Sequence, residues 1–284
     1  MLVSCPAEPF LELLHTRWAR AAAAAASPPV HNIVISSDAH SSALLAARTA
    51  CEGGFLEAGR VWIAPPATFQ RMAGTASPPS TGTIVAEVAW QPEDGALLCP
   101  VASSPSPRLV LVLDGVQDPA NAASAVRSAA FWGWHGVVLM PGTCHLWRDK
   151  VLTGSRLASL AVPWTRVPHT GMAEAVAAMT QHGSHLYATM PPDTHAFDIS
   201  AAPAQPSVPP PHTVYLAIGN EGHGLSKEVR AAATHSLTLE AGAPAPHQVQ
   251  AQSLNAAAAA AVCMARLSGA GVHIHRRGAS AGPD

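Results

Sequence analysis

Three polar segments of the chain carry the side chains whose types and spacing could do chemistry. The first, residues 113–133, places Asn121 near the entrance of a predicted helix and Arg127 further along the same helix. Ser124 and Ser128 share the helical face of Arg127, and most of the other residues in this helix are alanine or valine. A polar stripe of this kind is, by itself, typical of a solvent-exposed helix face.

The second segment, residues 217–229, begins as a predicted buried strand that runs into Gly219, Gly222 and Gly224. Glycines at a strand end allow backbone amides to approach a ligand closely. Their G-x-x-G-x-G spacing differs from the G-x-G-x-x-G of dinucleotide-binding folds, and the segment contains no phosphate-binding G-x-x-x-x-G-K-S/T. A dinucleotide-dependent enzyme is therefore the least favoured interpretation. Ser226 is predicted to cap the helix that follows.

The third segment, residues 252–267, is a predicted helix for which Ser253 or Asn255 can serve as the N-cap. The alanine run that follows Asn255 would allow another backbone to pack very near this helix. Taken alone, the segment is an ordinary capped helix.

The elements that must position these side chains alternate between strands and helices after a Pro/Ser-rich boundary at residues 102–107. Residues 109–116 form a near-continuous apolar run, which is typical of a strand buried in a parallel sheet. Such alternation predicts a doubly wound α/β domain, in which ligands bind beyond the carboxyl ends of the strands. The further strands are predicted at residues 136–140, 185–190, 214–219 and 236–240, and the helices near residues 119–131, 153–160, 171–182, 226–234 and 253–267.

The first half of the chain is predicted to be a separate, mixed α/β unit with a Pro/Ser-rich loop at residues 73–82. In the second half, the proline-rich stretch 201–211 cannot form a helix or a central strand, because proline lacks the backbone N–H donor. The predicted elements of the first half are helices near residues 8–25 and 40–52 and strands at 32–36, 60–64 and 83–90.

The composition limits which classes of function are possible. Hydrophobic residues make up 48% of the chain, but no apolar run approaches the roughly 20 residues of a bilayer-spanning helix, so we expect no membrane partner. The net charge of −2 supplies no global field for nucleic acid, which leaves a local arginine patch as the route to RNA binding. The five cysteines form no C-x-x-C pair and the histidines form no H-x-x-x-H cluster, so we expect buried thiols in a reducing compartment and no metal site.

Taken together, in this order and spacing, the three segments resemble the motifs of the SpoU/TrmH RNA 2′-O-methyltransferases of the SPOUT superfamily. The segment at residues 151–164 resembles the family's connecting helix and following strand, and residues 13–20 and 81–90 resemble an L30e-like substrate-binding domain. The residues that match are Asn121 and Arg127 in the first motif, Gly219, Asn220, Glu221, Gly222 and Gly224 in the second, and Ser253, Leu254 and Asn255 in the third.

The resemblance implies an α/β fold whose parallel sheet carries a C-terminal trefoil knot, with residues 253–267 threaded through a loop formed near residues 217–245. It divides the chain into an L30e-like domain over residues 1–100 and a methyltransferase domain over residues 108–277. It also implies a dimer, formed with a second copy or with a paralogue, through the helices at residues 120–131 and after Ser253.

The same resemblance implies S-adenosylmethionine as the cofactor and assigns the site residues. A guanidinium keeps its proton in proteins, so we assign Arg127 to stabilising the developing alkoxide and gripping a phosphate, while Glu221 or water receives the proton. The cofactor would be lined by Thr189, Gly219, Asn220, Gly222, Leu239 and Leu254, and the ribose would be faced by Asn121, Arg127, Glu221, Ser253 and Asn255.

The chain departs from the family pattern at several glycines and in the last turn. Alanine stands at positions 120 and 123 and Leu157 in the connecting helix, where the family has glycine. Leu239-Glu240-Ala241 replaces an I-P-M turn, and the glycine ahead of Ser253 is missing. Two hypotheses stay open. One is an active methyltransferase of structured RNA, with ribosomal RNA favoured over transfer RNA because of the L30e-like domain.

The other hypothesis is a catalytically inactive homologue that binds RNA or a protein during ribosome assembly, for example on a ribosomal subunit precursor. The sequence does not define the target nucleotide. Because the N-terminus already has the pattern of a folded domain, no presequence is expected. A lysine-poor, alanine-rich chain is compatible with the cytoplasm or the mitochondrion, of which we prefer the mitochondrion.

Overall fold

A computed structural model of the protein describes residues 2–15, 30–56, 59–88, 96–99, 107–190, 197–198, 213–239 and 254–269. The proline-rich stretch 201–211 and Ser253 lie outside these residues. So does the whole segment from residue 240 to residue 253, through which the knot would be formed. The trefoil knot therefore stays a prediction.

The first half of the chain forms a four-stranded sheet in the order β1-β4-β2-β3. Strand β4 pairs antiparallel with β1 and β2, and β3 pairs parallel with β2. This mixed α/β unit was expected, although β1 and the third helix were not, since a five-residue strand is recognisable mainly through its pairing with β4. The elements are β1 (Leu2–Pro6), α1 (Ala7–His15), β2 (Val30–Ser36), α2 (Ser41–Glu52), β3 (Val61–Ala64), α3 (Pro66–Ala73) and β4 (Thr83–Val88).

The second half forms a seven-stranded, all-parallel sheet in the order β7-β6-β5-β10-β8-β11-β9. The predicted parallel α/β architecture is thereby confirmed. The strands are β5 (Arg108–Asp114), β6 (Gly136–Leu139), β7 (Trp164–Arg166), β8 (His185–Thr189), β9 (Phe197–Asp198), β10 (Thr213–Gly219) and β11 (His235–Thr238). The helices are α4 (Pro119–Phe131), α5 (Asp149–Gly154), α6 (Ala158–Ala161), α7 (Met172–Ala178), α8 (Lys227–Ala232) and α9 (Ala256–Leu267).

Both faces of this sheet are covered, which explains the unbroken apolar character of β5. Successive side chains of a strand point to opposite faces, so Leu111 and Leu113 join the core under α4 and α9, while Val110 and Val112 join the core under α7 and α8. The strands therefore place their carboxyl ends along one edge, and the polar segments follow from that edge.

The predicted connecting helix is divided into α5 and α6 by a turn in which Arg156 and Leu157 have positive φ values of 51° and 64°. A leucine in this left-handed conformation costs about 1–2 kcal/mol, which explains why glycine suits the position. Leu157 is nevertheless only 2% exposed, because its side chain packs into the hydrophobic cluster of the first half with Leu152 and Leu160. Burying a leucine side chain contributes about 1.5–3 kcal/mol, which offsets the backbone cost.

The two other glycine replacements are also compatible with the fold. Ala120 and Ala123 lie in the first turns of α4, where the backbone is helical and alanine is favoured over glycine by roughly 1 kcal/mol. Ala123 is buried against α5, and a Cβ added at Gly154 would lie 3.0 Å from the Ala123 Cβ. The small residue needed at this helix contact is thus supplied by Gly154.

The cysteines are all free, as predicted, but they are not uniformly buried. Cys5, Cys144 and Cys263 are buried, and burial raises the pKa of Cys5 and of Cys263 to about 12, so neither thiol is ionised at neutral pH. Cys51 is half-buried and Cys99 is exposed, which differs from the expectation of buried thiols.

Candidate active site

The turn after β10 is held in one conformation by the side chain of Asn220. Its Nδ2 donates to the carbonyl of Gly115 at 2.9 Å, and its Oδ1 accepts from the backbone N–H groups of Gly222 at 2.8 Å and His223 at 3.2 Å. Asn220, which was predicted to line the cofactor, therefore joins the turn after β10 to the turn after β5.

Two glycines of the G-x-x-G-x-G segment are required by the geometry of this turn. The backbones of Asn220 and Gly224 exchange hydrogen bonds of 3.0 Å and 2.8 Å, which brings Gly224 against the end of β10. A Cβ at Gly219 would collide with the carbonyl group of Gly224, and Gly224 itself has a φ of 69°. The spacing thus encodes a tight strand–helix turn and not a dinucleotide loop.

Asp114, at the end of β5, fixes the far side of the same turn. Its side chain is 4% exposed, and Oδ2 accepts from the backbone N–H of Ser226 at 2.7 Å. Ser226 in turn caps α8, as predicted, by accepting from the N–H of Val229. Asp114 was missed at the sequence level, although a carboxylate that ends an apolar strand was the available signal.

Helix α4 begins beside this turn, which brings Asn121 to the site. Asp118 caps the helix by accepting from the N–H of Ala120 at 3.0 Å, and Pro119 occupies its first turn. Asn121 is buried, and its Nδ2 donates to Oε1 of Glu221.

A continuous chain of hydrogen bonds then joins three of the predicted catalytic residues. The Nδ2 of Asn255 donates to Oδ1 of Asn121 at 2.8 Å, and Oδ1 of Asn255 accepts from the N–H of Ala257 at 2.9 Å, which caps α9. The chain begins at the backbone N–H of Ala257, which only donates, and ends at the Glu221 carboxylate, which only accepts. The direction of every hydrogen bond between them is therefore determined. The Glu221 carboxylate is exposed, and its position is set by the buried Asn121 amide.

Arg127 lies apart from this chain within the subunit. It is exposed on α4 and lines a cavity of about 450 Å³ between α1, α4 and the turn that joins α5 to α6. In the part of the chain that the structure describes, no hydrogen bond or ion pair holds its guanidinium. Other residues that line this cavity are Pro9, Glu12, Phe131, Arg156 and Ala161.

Two of the remaining predicted cofactor residues, Thr189 and Leu239, lie at or directly after the ends of neighbouring strands. The Thr189 hydroxyl, at the end of β8, donates to the Ala217 carbonyl at 3.0 Å. Leu239 is half-buried directly after β11, and Leu254 is exposed ahead of α9. Thr238 was missed at the sequence level: its hydroxyl is buried at the end of β11 and has no hydrogen-bond partner among the described residues.

The described residues form neither a metal-binding cluster nor a membrane-spanning helix. Within those ranges, no group of three or more His, Cys, Asp or Glu side chains is arranged to hold a metal ion. No helix within them has both the length and the hydropathy needed to cross a membrane.

The fold and this strand-edge site define a class of protein. Residues 108–265, more than half of the chain, match the SpoU rRNA methylase family, and the chain belongs to that family. Among named relatives, the chain is 31% identical over 118 residues to the 23S rRNA (guanosine(2553)-2'-O)-methyltransferase RlmP of Bacillus subtilis. The aligned residues make up 42% of this chain and 43% of that relative. The chain is 42% identical over 55 residues to the mitochondrial rRNA methyltransferase 3B of Danio rerio, which covers 19% of this chain and 12% of that protein.

The chain spans less than half the length of the curated relatives it matches. A larger share is covered by solved structures. The AdoMet-bound rRNA methyltransferase of Sinorhizobium meliloti matches with a TM-score of 0.66 at 17% identity, over 93% of this chain and 86% of that one. At this identity the likeness is one of fold, and it extends across both sheets.

Proposed function

We propose that the protein transfers a methyl group from S-adenosylmethionine to a ribose 2′-hydroxyl of a structured RNA. The observation that carries this proposal is the hydrogen-bonded chain Asn255–Asn121–Glu221, which brings three separate segments together at the carboxyl edge of the parallel sheet. Membership of the SpoU rRNA methylase family supports the reaction class, and the name of the Bacillus subtilis relative supports the 2′-oxygen as acceptor.

The ends of β8, β10 and β11 fit S-adenosylmethionine. These three strands are neighbours in the sheet, and Thr189, Gly219 and Leu239 lie at or directly after their carboxyl ends. The buried Thr238 hydroxyl at the end of β11, which has no partner among the described residues, is available there for a ligand atom. The AdoMet-bound rRNA methyltransferase of Sinorhizobium meliloti supports this choice of cofactor. When bound, S-adenosylmethionine supplies a methyl group attached to a sulfonium. The rest of the cofactor leaves as a neutral thioether once the methyl group has been transferred.

The residues of the chain have to orient the ribose and accept one proton. The 2′-oxygen forms a bond to the methyl carbon while the carbon–sulfur bond breaks, and the hydroxyl proton must leave. We assign that proton to Glu221, because Asn121 occupies only Oε1 of its carboxylate. Asn121 and Asn255 act as positioning residues for this carboxylate.

The position of Arg127 favours contact with the RNA backbone. An exposed guanidinium on the helix that carries Asn121 can bind a phosphate through two parallel hydrogen bonds while Asn121 faces the ribose. Ser253 is assigned to the ribose side by the family motif alone. Ribosomal RNA is preferred to transfer RNA as the substrate because the relatives in Bacillus subtilis and Danio rerio are named for it.

The mitochondrion stays the preferred compartment, supported over a short segment by the mitochondrial relative of Danio rerio. The domain limits at residues 1–100 and 108–277 also stay a prediction. Leu152, Leu157 and Leu160 pack into the core of the first domain. The Nη2 of Arg156 also lies 3.6 Å from Oε1 of Glu12 in α1. Because of these contacts, we expect the two units to move together.

The dimer is proposed to form through the outer surfaces of α4 and α9. Phe131, at the end of α4, is 77% exposed, Leu254, just ahead of α9, is 56% exposed, and Val262 of α9 is 47% exposed. Static light scattering is expected to give the mass of a dimer, and Val262→Glu is expected to shift it towards the monomer. Leu45→Glu, at an exposed leucine of α2, is the matched control and should leave the mass unchanged. A monomer of the wild-type chain at high concentration would contradict the proposal.

The cofactor and the acceptor atom can be tested separately. Isothermal calorimetry with S-adenosylmethionine alone should show one binding site per chain. After incubation with unmodified ribosomal RNA transcripts, the methylated nucleotide should resist alkaline cleavage, because that cleavage requires a free 2′-hydroxyl. A methylated nucleotide that alkali still cleaves would point to a base as the acceptor. Absence of both cofactor binding and methylation would leave the catalytically inactive assembly factor as the function.

A further inference from the structure

A basic and aromatic surface lies beside the candidate active site and is not used by the reaction proposed above. It is formed by the loop that follows β6, the first turn of α5 and the end of β7, and we call it the Trp147 surface. Its members are His145, Trp147, Arg148, Lys150 and Arg166, all of which are exposed.

Hydrogen bonds tie this loop to the turns of the active site. Thr143 accepts from the N–H of Gly115 at 3.0 Å through its hydroxyl, and the N–H of Cys144 donates to the carbonyl of Val116 at 2.9 Å. Gly115 is also the residue whose carbonyl accepts from Asn220. The Trp147 surface therefore has a fixed position relative to the Asn255–Asn121–Glu221 chain.

The exposed rings of the Trp147 surface pack against the buried ring of Trp164. The Trp147 ring lies 5.7 Å from the buried ring of Trp164 and 5.4 Å from the ring of His145, both measured between centroids. Trp147 remains 37% exposed despite these contacts. A large ring that is held by neighbouring rings and stays partly exposed can receive a planar ligand on its exposed surface.

The charged groups around these rings are mostly positive. Arg166 donates to the Thr143 carbonyl at 3.0 Å, which holds its guanidinium near the rings. The pKa of His145 is lowered by partial burial and by the nearby Arg166 and Arg148, which locates both cations close to the imidazole. Asp149 and Asp118 are the acidic residues adjoining this loop, against Arg148, Lys150 and Arg166.

We propose that the Trp147 surface binds an unpaired stretch of RNA next to the methylated nucleotide, with a base stacked on Trp147 and the flanking phosphates held by Arg148, Lys150 and Arg166. The inference rests on the proposed function, because it extends the same substrate outward from the ribose. Aromatic rings flanked by arginines are the usual means of holding unpaired bases and their phosphates. The net charge of −2 makes such a local surface necessary, because the chain as a whole does not attract RNA.

The test measures binding of two fluorescent RNA probes by the full-length protein: a hairpin with an unpaired loop, and a blunt duplex of the same stem. The wild-type protein should bind the hairpin more tightly. Trp147→Ala should weaken hairpin binding on the order of 10- to 100-fold, the usual effect of losing one stacked base, and should leave duplex binding nearly unchanged. Trp147→Phe, which keeps an aromatic ring, should retain most of the affinity.

Arg148→Ala supplies a test that does not depend on packing, because the side chain is exposed. Log affinity falls linearly with log salt concentration, and Arg148→Ala should make this fall less steep by about 0.7, as expected for one lost phosphate contact to a single strand. Arg230→Ala, at an exposed arginine of α8 on the other face of the sheet, is the matched control and should leave the slope unchanged. The proposal is overturned if Trp147→Ala and Arg148→Ala bind the hairpin like the wild type, or if Arg230→Ala has an equal effect.

Failure of this proposal can be told apart from failure of the proposed function. If the wild type methylates RNA while the Trp147 and Arg148 variants keep full hairpin affinity, the surface is wrong and the methyltransferase function stands. If the variants lose affinity but the wild type neither binds S-adenosylmethionine nor methylates RNA, the surface stands and the methyltransferase function is wrong.

Discussion

Replacing Glu221 by glutamine is expected to lower the rate of methyl transfer by about 100- to 10,000-fold, the usual contribution of a positioned proton acceptor. The physical reason lies in the hydrogen-bond chain. The Oε1 of glutamine can still accept from the Asn121 amide, so the geometry that Asn121 and Asn255 impose is retained. What is lost is the carboxylate oxygen that accepts the ribose proton.

The measurement is a single-turnover rate on unmodified ribosomal RNA, with the melting temperature and the affinity for S-adenosylmethionine recorded for the same samples. Both of these should stay close to wild type, because the Glu221 side chain is exposed. Glu228→Gln, at an exposed glutamate in the first turn of α8, is the matched control and should keep the wild-type rate. A wild-type rate for Glu221→Gln would show that water takes the proton.

The second large effect is expected at Arg127. Arg127→Ala should reduce kcat/KM on the order of 100- to 1,000-fold, the loss typical of removing one donor from a site where charge develops. Because Arg127 is exposed and unbonded among the described residues, its removal leaves no core cavity, and the melting temperature should be nearly unchanged. Arg127→Lys should also fail, since a point charge cannot reproduce the planar fork of a guanidinium.

The division of this loss between kcat and KM would separate the two roles assigned to Arg127. A contact to phosphate in the bound RNA raises KM, whereas stabilisation of the developing alkoxide lowers kcat. Because Arg127 lines a cavity beside Glu12 and Arg156, apart from the polar chain, a loss confined to KM would assign it to phosphate binding alone. Arg230→Ala, at the exposed arginine of α8, serves as the control. Unchanged kcat/KM in Arg127→Ala would remove this residue from the substrate site.

The fold accommodates the three residues that replace glycines of the family pattern before β7. In the sequence, Ala120, Ala123 and Leu157 stand where the family has glycine. In the structure, the two alanines lie in regular helix, and Leu157 adopts the positive φ that glycine would adopt while burying its side chain against the first domain. The replacements in the segment around residues 239–253 lie largely outside the described residues.

The sequence by itself determined the elements whose signals are local. The apolar run of β5, the glycine turn after β10, the cap at Ser226 and the choice of Ser253 or Asn255 as the cap of α9 depend on residues within a few positions of one another. Backbone geometry and side-chain hydrogen bonding constrain such short segments strongly, so their pattern could be interpreted without knowledge of the rest of the chain.

Only the tertiary structure decided which distant side chains meet. Asn121 contacts Glu221 and Asn255 because three strand ends and two helices converge at one edge, and Arg127 lies in a separate cavity because its direction on α4 differs from that of Asn121. The Trp147 surface likewise depends on Trp164 packing beneath a loop of another segment. These contacts follow from the packing of whole elements, and packing depends on shape complementarity over many residues rather than on spacing in the chain.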